Sequence, residues 1–247
     1  MQTGKFLGIG AVLSAGLLAA QVASASVQLE ITSSSGASVF LPTTATSSSS
    51  YTNSGGSYGG FSWSSLSVTA DSSGQSSLTL SVSGLTGPGQ LNIEASGNGF
   101  TFDPSSATLA VSGNGSLLGP NSSTDIITGG AQISPSNTLF ATTSGAGTSF
   151  LSATPPAQSG ATSESYTLAG SGGTTSVTGS QINSTGYTLN VLTTFAVSDT
   201  ATISGTFIGS VPGTGTSAVT LPGSGPLTIV GGLVVVGGLA VRRRFKV

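Results

Sequence analysis

The sequence predicts an all-β protein, a single antiparallel β-sandwich of jelly-roll-like kind. Apolar residues alternate with Ser and Thr at a period of two, the repeat of a strand with one buried and one wet face. These short segments are separated by Gly, Pro and Asn clusters that suit tight turns. No mid-chain stretch keeps apolar residues at helical spacing, and dense Ser and Thr disfavour helix there. Of the 247 residues, about 200 lie between the two terminal segments, enough for one sandwich with its own core.

Composition removes several kinds of chemistry before any motif is considered. Charged residues make up 5% of the chain, and His and Cys are both absent. Disulfides, thiolate metal sites, thiol nucleophiles, imidazole bases and His-bound zinc are therefore all excluded. The five basic residues, Lys5, Arg242, Arg243, Arg244 and Lys246, sit at the two ends, and residues 6–241 contain no Lys or Arg. The acids Glu30, Asp71, Glu94, Asp103, Asp125, Glu164 and Asp199 all fall between them, so the body carries a formal charge of −7. A body without cations cannot neutralise phosphates, which argues against nucleic acid as a partner.

The N-terminus, residues 1–25, reads as an export signal. Lys5 gives a short basic start, Phe6 to Ala20 form an apolar run, and Ala23-Ser24-Ala25 supplies an A-x-A site. Signal peptidase is expected to cut after Ala25 and leave Ser26 as the mature start. The competing reading is an N-terminal membrane anchor or core helix. The apolar run is short for a span, and β-like sequence follows it directly.

The sandwich body is assigned to residues 26–210. Leu78, Leu80 and Val82 share one face, as do Leu91, Ile93 and Ala95, and then Leu109 and Val111. The longest series is Tyr187, Leu189, Val191, Thr193, Phe195 and Val197, continued after Ser198-Asp199 by Ala201, Ile203, Gly205 and Phe207. Turns are expected at Gly87-Pro88-Gly89, Gly97-Asn98-Gly99, Asp103-Pro104, Gly113-Asn114-Gly115 and Gly172-Gly173. A partly disordered Ser/Gly stalk competes with strand over Thr43 to Gly60 and Ala153 to Gly173.

A Gly/Thr/Ser linker follows at 211–225, and then the C-terminal segment 226–247. Its apolar run, residues 227–241, would span roughly 22 Å as a helix, against a hydrocarbon core of about 30 Å. Snorkelling of Arg242, Arg243, Arg244 and Lys246 extends that reach, and their charge should hold this end in the cytoplasm with the body outside. A short transmembrane helix with a basic stop at the extreme end reads as a handling signal.

In this order of elements the tail resembles the PEP-CTERM sorting signal, which exosortase transpeptidases read in the membrane. The stretch Gly225-Pro226-Leu227-Thr228-Ile229-Val230-Gly231 is similar to the Glu-Pro-Leu-Thr-Ile-Leu-Gly form of that signal. The family's Pro-Glu-Pro core falls on Ser224-Gly225-Pro226, where only the last proline is kept. Leu221-Pro222-Gly223-Ser224-Gly225 also resembles the sortase signal Leu-Pro-x-Thr-Gly, with Ser for Thr. An unprocessed tail anchor is the third reading. The PEP-CTERM resemblance implies an exported bacterial surface or matrix protein, held transiently in the membrane and handled by an exosortase-like enzyme. The bodies often found ahead of such tails, which this one loosely resembles at Ile93 to Asp103 and Asn137 to Thr142, are thought to be β-sandwiches.

Chemistry-bearing constellations are sparse. The acids are singletons in sequence, and Glu94 with Asp103 is the one pair a hairpin at Gly97-Asn98-Gly99 could bring together for glycoside hydrolysis. Glu94 is out of phase with Leu91, Ile93 and Ala95, so it should face solvent. Asp71-Ser72-Ser73-Gly74 and Asp103-Pro104-Ser105-Ser106 carry oxygen ligands of the type calcium takes, but Asx-turns explain them as well. Serines abound, yet the body offers no base to activate one. Trp63 and Tyr58, with Tyr51 and Phe61 nearby, could form a sugar-stacking platform, or Trp63 could be core. No enzyme activity and no cofactor are expected. The role expected is structural, in a cell-surface layer or extracellular polymer matrix, with a carbohydrate-binding module as the competing class.

Overall fold

The computed structural model describes residues 25–34, 36–72, 75–101, 107–141, 146–177, 186–197 and 201–211. In chain order the strands are β1 (Val27–Ser33), β2 (Ser38–Leu41), β3 (Ser50–Asn53), β4 (Gly56–Tyr58), β5 (Phe61–Trp63), β6 (Ser65–Asp71), β7 (Ser76–Leu85) and β8 (Gly89–Phe100). They continue as β9 (Ala107–Leu118), β10 (Ile126–Ser134), β11 (Ala146–Gly147), β12 (Leu151–Ala153), β13 (Ser163–Thr167), β14 (Thr174–Val177), β15 (Tyr187–Val197) and β16 (Thr202–Val211). Among the described residues there is no helix, and so none long and apolar enough to cross a membrane.

Two seven-stranded antiparallel sheets face each other. Sheet A runs β11-β10-β15-β8-β1-β2 with β12 also on β10, and sheet B runs β13-β9-β16-β7-β6-β3 with β14 also on β9. From β7 to β10 the chain crosses the core at every step, and β15 and β16 then wedge into the centres of the two sheets. A separate hairpin, β4-β5, lies against the end of β7.

The core lies where the period-two faces place it. Leu29, Ile31, Leu91, Ile93, Leu189, Val191 and Phe195 of sheet A are buried, as are Leu66, Val68, Leu78, Leu80, Leu109, Ile203 and Phe207 of sheet B. Each such side chain contributes about 1.5–3 kcal/mol on burial. Phe195 and Phe207 meet edge to face across the two sheets, with ring centres 5.6 Å apart. Thr193, within the inward series of β15, is buried and donates to the Ile93 carbonyl at 3.0 Å.

Two expected turns are strand instead. Gly97-Asn98-Gly99 lies inside β8 and Gly113-Asn114-Gly115 inside β9. Glycine is needed there for close packing: a Cβ on Gly113 would come within 2.7 Å of both Leu168 and Phe207. A Cβ on Gly115 would run into the Ser204 carbonyl and lie 2.6 Å from the Gly205 Cα. The strands β3, β4 and β13 fall in the stretches where a stalk competes in the sequence reading. At the other boundary β16 continues through Val211, fully buried, one residue past the expected end of the body. Its alternation with Phe207 and Gly209 explains the extension. The signal segment up to Ser24 and everything from Pro212 onward lie outside the described residues.

Candidate functional site

On strands that bury alternate residues, the others form the outer face. On sheet A one cross-strand row of that face reads Phe40, Glu30, Glu94, Leu192 and Gly130, carried by β2, β1, β8, β15 and β10. Four inter-strand steps make this row about 19 Å long. The next row holds Thr32, Asn92 and Thr194, with the Thr194 hydroxyl donating to Asn92 Oδ1 at 2.9 Å. Glu30, Glu94, Leu192, Thr32, Asn92 and Thr194 floor a hollow of about 410 Å³ that also touches Phe150, and Phe40 stands just beyond it at the end of the row.

Phe150 stands at the far end of the carboxylate row. It lies between β11 and β12, is 53% exposed, and its ring sits 3.1 Å from where a Cβ on Gly130 would be. The glycine thus gives the ring a seat on the sheet. At the near end Phe40, 39% exposed, meets Phe140 edge to face with ring centres 5.4 Å apart.

Phe140 is brought there by the segment 135–141, which is tied across the row Gln28, Ser96 and Asn190. Ser96 donates to Asn190 Oδ1 at 2.7 Å and accepts from the Phe140 N–H at 2.8 Å. Thr188 donates to the Ser136 and Thr138 carbonyls, and Asn98 donates to the Asn137 carbonyl. These bonds hold Phe140 at a φ of +57°, a left-handed conformation that is strained for an aromatic residue. A second hollow of about 460 Å³ opens between this segment and β1, lined by Gln28, Phe40, Asn98, Asn137 and Phe140. The outer face of sheet A is thus a trough with a polar floor and aromatic rings at both ends.

Its electrostatics are set by Glu30 and Glu94, which oppose each other directly in the register of β1 and β8. Burial, and then the facing Glu30 carboxylate, push the Glu94 carboxyl from 4.5 up to about 7. Glu94 Oε1 is buried and has no hydrogen-bond partner among the described residues. Sequence reasoning placed Glu94 on the wet face but missed this pairing. The available signal was phase alone: Glu30 is out of phase with Leu29 and Ile31 as Glu94 is with Ile93 and Ala95.

The Tyr58 and Trp63 platform is not displayed on the surface. Trp63 is 6% exposed and packs in the core, with its indole N–H donating to Asn53 Oδ1 at 2.8 Å. Tyr58 is half-buried and packs against the same core. The apolar alternation Phe61, Trp63 along β5 explains this, because both rings point inward. At the expected cleavage point Ala25 is buried and the Ser26 N–H donates to Asn98 Oδ1 at 3.2 Å. Among the described residues no three acids come together as a metal would need. Asp71 is exposed, and Asp103 lies outside the described residues. So do Ala23, the motif Leu221-Pro222-Gly223-Ser224-Gly225-Pro226, and the Arg242, Arg243, Arg244 and Lys246 cluster.

The fold and trough define a two-sheet β-sandwich with an open, ring-flanked face. No family model and no curated protein matches the chain. Among solved structures it is similar to a carbohydrate-binding module of the β-sandwich superfamily, at 11% identity and a TM-score of 0.23. That match covers 76% of this chain and 71% of the other. An overlap of that size does not define a shared fold.

Proposed function

We propose that the body is a non-catalytic glycan-binding module of an exported surface protein, and that it attaches the protein to extracellular polysaccharide. The observation that carries this reading is the trough on sheet A. Its floor of Glu30, Glu94, Asn92, Thr32 and Thr194 offers hydrogen bonds to hydroxyl groups, and Phe40 and Phe150 offer ring faces for sugar C–H surfaces. The open length suits a chain laid along the face better than a small enclosed molecule. The two carboxyl groups stand side by side on the floor, so both would meet a ligand from one side. Hydrolysis by a carboxyl pair needs the two to flank the scissile bond.

The tail supplies the setting. The signal at 1–25 and the sorting segment at 226–247 support export by signal peptidase. Transient membrane retention through residues 227–241 and transfer by an exosortase-like transpeptidase would follow, with a sortase-like enzyme or simple anchoring as the rival fates. A module delivered this way would act structurally, as a link between a cell-surface layer and its polymer matrix.

Co-sedimentation with insoluble polysaccharides tests the reading. Phe150→Ala and Phe40→Ala should each lower the bound fraction severalfold, while Thr79→Ala on the outer face of sheet B should leave it unchanged. Equal retention by all three variants, or no saturable binding to any polymer, would refute it.

A further inference from the structure

The trough's charge points to the kind of polymer it takes, an inference that rests on the glycan-binding reading above. Glu30 and Glu94 oppose each other across two strands, an arrangement in which like charges repel. Among the described residues nothing around them compensates. From β2 the row brings Phe40, from β15 Leu192 and Thr194, from β10 Gly130, and from the segment before β12 Phe150. None of these titrates, and among the described residues Glu30 is the only charged neighbour lining the hollow with Glu94. With no Lys or Arg from residue 6 to 241, no side chain of the body can deliver a counter-charge.

A half-buried acid pair without a cation relaxes by keeping a proton on one member. Burial makes Glu94 that member. A carboxylic acid beside a carboxylate presents one donor among several acceptors, the complement of neighbouring sugar hydroxyls. We infer that the trough selects an uncharged polyhydroxylated chain and rejects polyanions, with the Glu94 carboxylic acid donating to a ligand oxygen and the Glu30 carboxylate accepting from a ligand hydroxyl. A polyanion would meet an acidic floor with no Lys or Arg side chain anywhere on the body, and desolvating both would cost more than the contacts return.

Affinity gels of the full chain at pH 6 and pH 8 test this. The gels carry neutral polymers (hydroxyethylcellulose, laminarin, galactomannan, dextran), polygalacturonate as polyanion, or glycol chitosan as polycation. At least one neutral polymer should retard the protein at pH 6, and its affinity should fall about tenfold by pH 8 as Glu94 loses its proton. Polygalacturonate should not retard it through the trough at either pH, so any retardation by the basic tail should be the same in Phe150→Ala. Glu94→Gln, which keeps a donor at every pH, should bind the neutral polymer with the pH dependence removed. Retardation by polygalacturonate that Phe150→Ala abolishes, tightest binding to glycol chitosan, or an unchanged pH dependence in Glu94→Gln would overturn the inference while leaving glycan binding intact. Absence of retardation by every polymer would overturn both.

Discussion

Replacing Glu94 with Gln should stabilise the protein, and the gain should depend on pH. The Glu94 carboxyl, ordinarily near 4.5, is pushed up to about 7 in the folded chain. Between those values the folded protein holds a proton that the unfolded chain has released. Stability from this group is therefore full below pH 4.5 and falls as pH rises to about 7. At 1.36 kcal/mol per unit the shift sets a ceiling of about 3 kcal/mol, and screening on an outer face brings it to about 1–3 kcal/mol. For a domain of this size each kcal/mol moves Tm by about 2–4 °C. Melting curves of wild type and Glu94→Gln should therefore coincide at pH 4 and separate by about 2–12 °C at pH 8, with the variant higher. Taking the difference cancels the titration of the acids that do not face Glu94. A difference that stays constant across pH, or a variant less stable at pH 8, would refute the reasoning.

Three further outcomes follow from the packing and the tail. Phe207→Ala should cost about 3–5 kcal/mol, because a buried ring packed on Phe195 leaves a cavity between two sheets; chemical denaturation measures it. Gly115→Ala should cost at least the ~1–3 kcal/mol of ordinary overpacking, since its Cβ meets the β16 backbone rather than a side chain that can turn away. A variant as stable as wild type would contradict the close approach of β9 and β16. Intact mass of the native protein, from membrane and culture fluid separately, should show a chain that begins at Ser26 and ends between Leu221 and Pro226. Finding Val247 on the membrane-bound form would leave a simple tail anchor.

The two inner faces were legible because burial imposes a period of two. The series Leu78 to Val82, Leu91 to Ala95 and Tyr187 to Val197 are buried as their alternation requires. What composition hides is the use of each glycine. Gly-Asn-Gly reads as a turn, yet at 97–99 and 113–115 it lets side chains and a neighbouring strand approach closely inside β8 and β9. The trough was illegible for a different reason. Glu30 and Glu94 are 64 residues apart in sequence, and only the pairing of β1 with β8 sets them opposite. Phe150 is equally invisible from sequence, because its place depends on a glycine in another strand. Of the two readings open to Trp63, stacking ring or core, the structure has core, since its phase matches Phe61.

The most direct measurement is a titration of the isotope-labelled protein with a soluble oligosaccharide of the polymer it retains, followed by amide and aromatic resonances. The account predicts that the largest shifts map to Phe40, Glu30, Asn92, Glu94, Thr194 and Phe150, in one continuous track across sheet A. Shifts centred on Tyr58 and Trp63, or on the outer face of sheet B, would contradict it.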